Sequence, residues 1–167
     1  MALLILSTGG TFEKVYRPDE GRLWFTESRL SHWAQQCRLP ANTRTEVLML
    51  VDSLDMTDLQ RDQIADAVAQ AAENQVVIIH GTDTMVNTAH TVMGCKRPDQ
   101  VVVFTGAMVP ASQPESDALF NLGMAVATAQ AMTPGTYICM SGQIFPADQV
   151  QKNKALGRFE ASLPNAE

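Results

Sequence analysis

The chain has 167 residues, 46% of them hydrophobic and 18% charged, with a formal net charge of −6 and an isoelectric point near 5.0. That length suits a single domain with its own core, and the composition argues against a disordered chain. An acidic balance without a Lys/Arg cluster argues against nucleic-acid binding, and no apolar run reaches the roughly 20 residues of a membrane span.

In chain order, the N-terminus is apolar but lacks a basic region before it and runs straight into Ser7-Thr8-Gly9-Gly10. It reads as a first strand, Ala2–Leu6, rather than as a secretory leader. A helix is expected over Glu27–Cys37 and a second strand over Val47–Val51. Thr57-Asp58-Leu59-Gln60 fits a capping box, after which Ile64, Val68 and Ala72 recur at a spacing of four. The third strand is Val76–Ile79. Asp83 or Thr84 can then cap a helix carrying Met85, Ala89, Val92 and Met93, with Arg97-Pro98 stopping it. The fourth strand is Val101–Thr105. Ser116 or Asp117 can open a helix with Phe120, Gly123/Met124 and Ala127 on one face, before Pro134-Gly135 and a fifth strand, Thr136–Met140. The strand runs are nearly continuous rather than alternating, as strands buried on both faces should be. Alternation of strand and helix predicts an α/β fold of three layers, a mostly parallel sheet with helices on both faces.

Polar or glycine-containing loops follow the five strands: Ser7–Thr11, Asp52–Asp55, His80–Asp83 and Ser141-Gly142 are four of them, and Gly106-Ala107-Met108 is the fifth. In a parallel sheet these loops share one edge, where ligands of open α/β sheets bind, so one site built from several loops is expected. Thr8-Gly9-Gly10-Thr11 allows a sharp turn and close backbone approach to an anion, but no nucleotide-binding glycine pattern is present. In His80-Gly81-Thr82-Asp83-Thr84, Asp83 can cap a helix or bind an amino group, while His80 reads as a satisfied core residue. Cys37, Cys95 and Cys139 are odd in number without a C-x-x-C, which points to reduced thiols and a cytoplasmic protein. His32, His80 and His90 form no paired set, so no metal site is expected.

Thr8-Gly9-Gly10-Thr11-Phe12, Asp52-Ser53-Leu54-Asp55-Met56, His80-Gly81-Thr82-Asp83-Thr84-Met85 and Thr105-Gly106-Ala107-Met108, with Pro110, together resemble the bacterial-type L-asparaginases. Phe120-Asn121-Leu122 and Val150-Gln151-Lys152-Asn153 fall in the family's order. The resemblance implies a flavodoxin/Rossmann-like asparaginase N-terminal domain and hydrolysis of L-asparagine to L-aspartate and ammonia. It implies Thr11 as nucleophile, assisted by Thr82, Lys152 and Asp83, with Tyr16 contacting the nucleophile from the loop after it. It also implies that Ser53 holds the substrate carboxylate and Asp83 the α-amino group. Ala107 offers a backbone carbonyl near the side-chain amide, and the loops around Gly10 and Gly81-Thr82 stabilise the oxyanion. No cofactor is implied.

Two departures shape the expectation. Residues 1–167 correspond to the family's N-terminal catalytic domain alone, ending at Ser162–Glu167 where the linker to a C-terminal domain would begin, so a single-domain short form is expected. Leu54 stands where many high-affinity members place a glutamine against the α-amino group, which predicts low affinity and weak glutaminase activity. An absent second domain also predicts a homo-oligomer, a dimer or a dimer of dimers. The alternatives are a catalytically impaired amino-acid-binding module, an N-terminal fragment of a two-domain asparaginase, a flavin carrier and the amidase subunit of a tRNA-dependent amidotransferase. Phe12–Phe25 reads as a lid, and an isolated reading of Lys152 leaves a solvated surface lysine.

Overall fold

The structure, a computed structural model, describes residues 2–162; of the Ser162–Glu167 segment where a linker is expected to begin, residues 163–167 lie outside the described residues. The chain runs β1 (Leu3–Gly9), a 3-10 turn (Thr11–Glu13), β2 (Val15–Arg17), β3 (Arg22–Trp24), α1 (Leu30–Gln36), β4 (Thr43–Val51) and α2 (Asp58–Gln70). It continues through β5 (Gln75–Ile79), α3 (Met85–Cys95), β6 (Val101–Thr105), α4 (Ala118–Ala131), β7 (Gly135–Met140) and β8 (Gln143–Pro146) to β9 (Val150–Asn153) and β10 (Arg158–Ala161).

One sheet has the order β4-β1-β5-β6-β7-β8, with every pairing parallel except the last. The five expected strands are its five parallel members, and period-two alternation divides each buried strand between two cores. Leu4, Leu6, Val76, Ile78, Val102 and Phe104 meet α2 and α3 through Ile64, Val68, Met85 and Val92. Leu3, Ile5, Val77, Ile79 and Val103 meet α1 and α4 through Leu30, Trp33, Leu122 and Ala125. Helices therefore cover both faces, and the three-layer α/β expectation holds. β4 is the exception to full burial, because it forms the edge and leaves Val47 exposed.

The remaining strands carried no such signal. Ser141 (φ 52°) and Gly142 (φ 82°) make a two-residue turn with both φ values positive, which folds β8 back onto β7. Short β2 and β3 form a hairpin within the expected lid, and β9 and β10 a second hairpin. The buried face of α4 also differs from the expected one. Ala118, Leu122, Ala125 and Ala129 turn inward, whereas Phe120 is 62% exposed. In a segment this apolar, almost any face satisfies the sequence pattern.

Among the described residues, no helix is long and apolar enough to cross a membrane, and no group of three or more His, Cys, Asp or Glu side chains could hold a metal.

Candidate active site

β1 lies between β4 and β5, so the chain leaves it to one side first and returns on the other later. Strand order reverses there, which opens a crevice at the carboxyl ends of the strands. Three loops meet at that point. Gly9 (φ 105°) and Gly10 (φ 71°) have left-handed φ values that strain any residue with a Cβ. A Cβ on Gly10 would lie 2.4 Å from Gly81 Cα, and one on Gly81 would lie 2.6 Å from Ser53 Oγ. Backbone thus stacks on backbone from the Thr11 turn through Gly81 to the Ser53 turn. Gly10 N–H donates to Val51 C=O (3.0 Å), and Thr8 Oγ1 donates to Ile79 C=O (2.9 Å), fixing the β1 end to both neighbours.

Lys152 arrives from outside the sheet. On β9, Val150 is buried in the core that α3 shares, and Lys152, two residues on, shares its face. Phe159, its partner on β10, is buried beside them. The lysine is therefore not a solvated surface residue; its side chain is 11% exposed. Its Nζ donates to Thr82 Oγ1 (2.7 Å) and Asp83 Oδ1 (2.8 Å). Asp83 keeps a partly exposed carboxylate and Thr82 is nearly buried.

The helix start beside this cluster lacks a side-chain cap. Thr84 is the N-cap of α3, but its hydroxyl donates to Ser53 C=O (2.8 Å) and Asp83 goes to Lys152. Both groups that could have capped the helix are committed to the site instead.

Ser53 is buried against Gly81, and Ala107 is buried at the end of β6. Leu54, by contrast, is 65% exposed, and its N–H donates to Asp52 Oδ1 (3.0 Å). The structure does not bring Tyr16 to the cluster. It lies on β2 opposite Leu23, is 57% exposed, and its hydroxyl has no hydrogen-bond partner among the described residues. His80 is fully buried. Its Nδ1 donates to Gly81 C=O (2.7 Å), which can only accept, leaving Nε2 bare and 3.2 Å from Met56 Sδ. Burial pushes its pKa down to about 4, so the ring is neutral and serves the core.

Sequence reading missed three contributors. Asp117, weighed as a cap for α4, instead accepts the N–H groups of Met108 (3.0 Å) and Val109 (2.9 Å) and holds the Ala107 loop. Buried Asn121 donates to Gly106 C=O and accepts from Ser141 N–H (both 3.0 Å), joining the loops after β6 and β7. Phe120-Asn121-Leu122 signalled Asn121, though not what it does. Glu13, read as part of a charged loop, is 2% exposed and accepts from Ser7 Oγ (2.6 Å) and Ser28 Oγ (2.9 Å). Burial raises its pKa against the lowering effect of those hydroxyls. Its Oε2 has no hydrogen-bond partner among the described residues.

A parallel sheet with a hydroxyl–ammonium–carboxylate cluster at its switch point defines an α/β protein built for polar small-molecule chemistry. The family model described as "Asparaginase, N-terminal" matches residues 2–162, and the chain belongs to the asparaginase family. It is 38% identical over 162 residues to a glutaminase-asparaginase of Acinetobacter glutaminasificans, covering 90% of this chain and 49% of that one. It is 31% identical over 144 residues to a glutamyl-tRNA(Gln) amidotransferase subunit of Methanococcus maripaludis, covering 83% of this chain and 34% of the relative. The solved thermostable L-asparaginase from Thermococcus kodakarensis superposes with a TM-score of 0.84 at 29% identity, over 96% of this chain and 51% of that one. The chain thus spans between a third and about half of the lengths of these relatives.

Proposed function

We propose that the protein is an L-asparaginase that hydrolyses L-asparagine to L-aspartate and ammonia through an acyl-enzyme on Thr11. The observation that carries this reading is the Thr82–Lys152–Asp83 cluster, assembled from the loop after β5 and a distant hairpin beside the Gly10–Gly81–Ser53 stack.

Thr11 Oγ adds to the side-chain amide carbon and its proton passes to a basic group. A hydroxyl attacks poorly at neutral pH without such an acceptor. The negative charge on the former carbonyl oxygen is met by N–H groups of the Gly10 and Gly81-Thr82 loops. The C–N bond then breaks, ammonia leaves with the proton, and water cleaves the Thr11 ester to release aspartate. Lys152 contacts Thr82 directly, so the pair can move a proton at Thr82 Oγ1, while Asp83 retains exposed carboxylate surface for the substrate ammonium. Ser53 receives the α-carboxylate. Tyr16 joins the site in this reading only after the β2–β3 hairpin moves.

The test is ammonia release from L-asparagine by the wild-type protein beside Thr11→Ala, with glutamine as a second substrate. Loss of at least about 10³-fold in kcat for Thr11→Ala is expected; an undiminished rate overturns Thr11 as nucleophile. Leu54 offers the substrate ammonium no polar group, and each missing charge-assisted bond costs about one to two decades in affinity. A high KM and lower kcat/KM for glutamine follow; a sub-micromolar KM contradicts the first and equal kcat/KM values the second.

A second reading comes from the amidotransferase relative, in which case this chain would serve as the amidase of a tRNA-dependent complex. The net charge of −6 without a Lys/Arg cluster weighs against an RNA-bound role. Ammonia release that requires tRNA would favour it. The thiols of Cys37, Cys95 and Cys139 are free, which fits the proposed cytoplasmic location.

A further inference from the structure

The segment that carries Thr11 is tied down on both sides. Its 3-10 turn closes with Lys14 N–H on Thr11 C=O (3.2 Å). On one side, Ala111 N–H donates to Phe12 C=O (3.1 Å) and Ser112 Oγ to Lys14 C=O (3.0 Å), joining it to the loop that follows β6. On the other side Gly10 N–H holds Val51 C=O, and the side-chain tie to the turn that follows is Lys14. Lys14 Nζ reaches Asp52 Oδ2 at 2.5 Å, and it stands 5.5 Å from the Trp24 ring centroid and 5.7 Å from that of Phe25.

Asp52 organises the turn that presents Ser53. Its Oδ1 accepts Leu54 N–H (3.0 Å) and its C=O accepts Asp55 N–H (2.9 Å). Burial alone would raise the Asp52 pKa, but Lys14 and the Leu54 N–H outweigh it and hold the carboxyl below its usual range, so Asp52 is ionised. A substrate carboxylate received by Ser53 would place a second anion one residue from Asp52. Like charges this close repel unless a cation stands between or beside them. Lys14 is the cation at ion-pair distance from Asp52, and its side chain is only 14% exposed, so water screens the pair weakly. The same ammonium faces Trp24 and Phe25, the far end of the hairpin that begins just after Lys14.

We propose that Lys14 is a positioning residue that neutralises Asp52, thereby making the Ser53 turn receptive to a carboxylate, and ties that turn to the β2–β3 hairpin. This rests on the asparaginase reading for the carboxylate itself, but not for the tether. Lys14 touches no reacting atom; it acts through Asp52 and through the two rings.

The experiment compares wild type, Lys14→Met, Lys14→Arg and Lys14→Met/Asp52→Asn. The readouts are kcat and KM for asparagine, the Kd of L-aspartate by calorimetry, and the rate of tryptic cleavage after Arg22, in the hairpin, without ligand. Lys14→Met is expected to raise both KM and the aspartate Kd by about 10- to 100-fold with little change in kcat. Adding Asp52→Asn should recover much of that loss, because the uncompensated carboxylate is gone. Cleavage of the hairpin should quicken in Lys14→Met and return towards the wild-type rate in Lys14→Arg. Unchanged KM and Kd overturn the proposal, as does a double variant no better than the single one or a fall in kcat alone. Should the wild type release no ammonia, the asparaginase reading fails by itself. The tether is then decided by the tryptic rates: unchanged cleavage in Lys14→Met overturns it, and cleavage that quickens and is rescued by arginine supports it.

Discussion

His80 and Glu13 are both buried near the strand ends that carry the site, and burial drives their pKa values in opposite directions. His80 is held at about 4, well under its ordinary 6.5, so between those values the unfolded chain binds a proton that the folded one refuses. Stability is therefore lost as pH falls from 6.5 towards 4, by about 3 kcal/mol at most for a shift of this size. Glu13 is held above its ordinary 4.5, so the folded protein binds its proton more readily than the unfolded chain. Its contribution is lost as pH rises past 4.5 towards the folded value. Urea midpoints measured across pH separate the two. His80→Asn, which keeps a donor for Gly81 C=O, is expected to flatten the acid side. Glu13→Gln is expected to gain stability relative to wild type as pH rises, and a constant difference at every pH contradicts the assignment. Neither environment was legible in full. Sequence marked His80 as a core residue because a buried strand precedes it, but Glu13 and Lys14 looked like members of a charged loop. Their burial depends on Ser28, Trp24 and Asp52, all at least ten residues away.

At the scale of elements, helix starts separate local from tertiary control. Thr57 accepts Gln60 N–H, and Gln60 Oε1 accepts Thr57 N–H, so the capping box of α2 forms as its four residues dictate. Thr57→Ala should cost about 1 kcal/mol. At α4, Asp117 is the N-cap in position, but its carboxylate holds two N–H groups of the Ala107 loop and the amide of Asn121. Asp117→Ala should cost more, about 2 to 3 kcal/mol, because several partly buried donors lose their acceptor. Urea denaturation of both variants checks the order, and an equal or smaller loss for Asp117→Ala refutes the distinction. The same contrast accounts for β9: its residues are polar apart from Val150, and it forms because β10 pairs with it while Val150 and Phe159 enter the core.

At the scale of the molecule, the sheet order gathers the loops while leaving apolar side chains outside. Leu54, Phe120 and Leu156 are each at least 60% exposed, and Ile144 lies partly exposed on the edge strand β8. These side chains support the proposal that copies of the chain associate, since such groups gain by leaving water. Light scattering should give a mass that is a multiple of 18.2 kDa, two or four copies; a mass of one chain would overturn it. A cavity of about 460 Å³ opens at the opposite, amino-terminal edge, lined among others by Ala2, Glu73, Gln75 and Asp99. It lies at the other end of the strands from the Thr82–Lys152–Asp83 cluster.

By itself the sequence determined the parallel strands, the capped start of α2 and the loops that carry Thr11, Ser53 and Thr82. These rest on contiguous residues, whose apolar runs, glycines and capping spacing act over one turn or one strand. The motif order grouped Lys152 with Thr82 and Asp83, but only the tertiary structure decided that Lys152 is buried rather than solvated, that Tyr16 stands apart, and that Glu13 and Lys14 turn inward. Each of those outcomes depends on partners brought together by the order of strands and by two short hairpins. The energy of a buried charge or an ion pair is set by those distant neighbours rather than by the residues beside it in the chain.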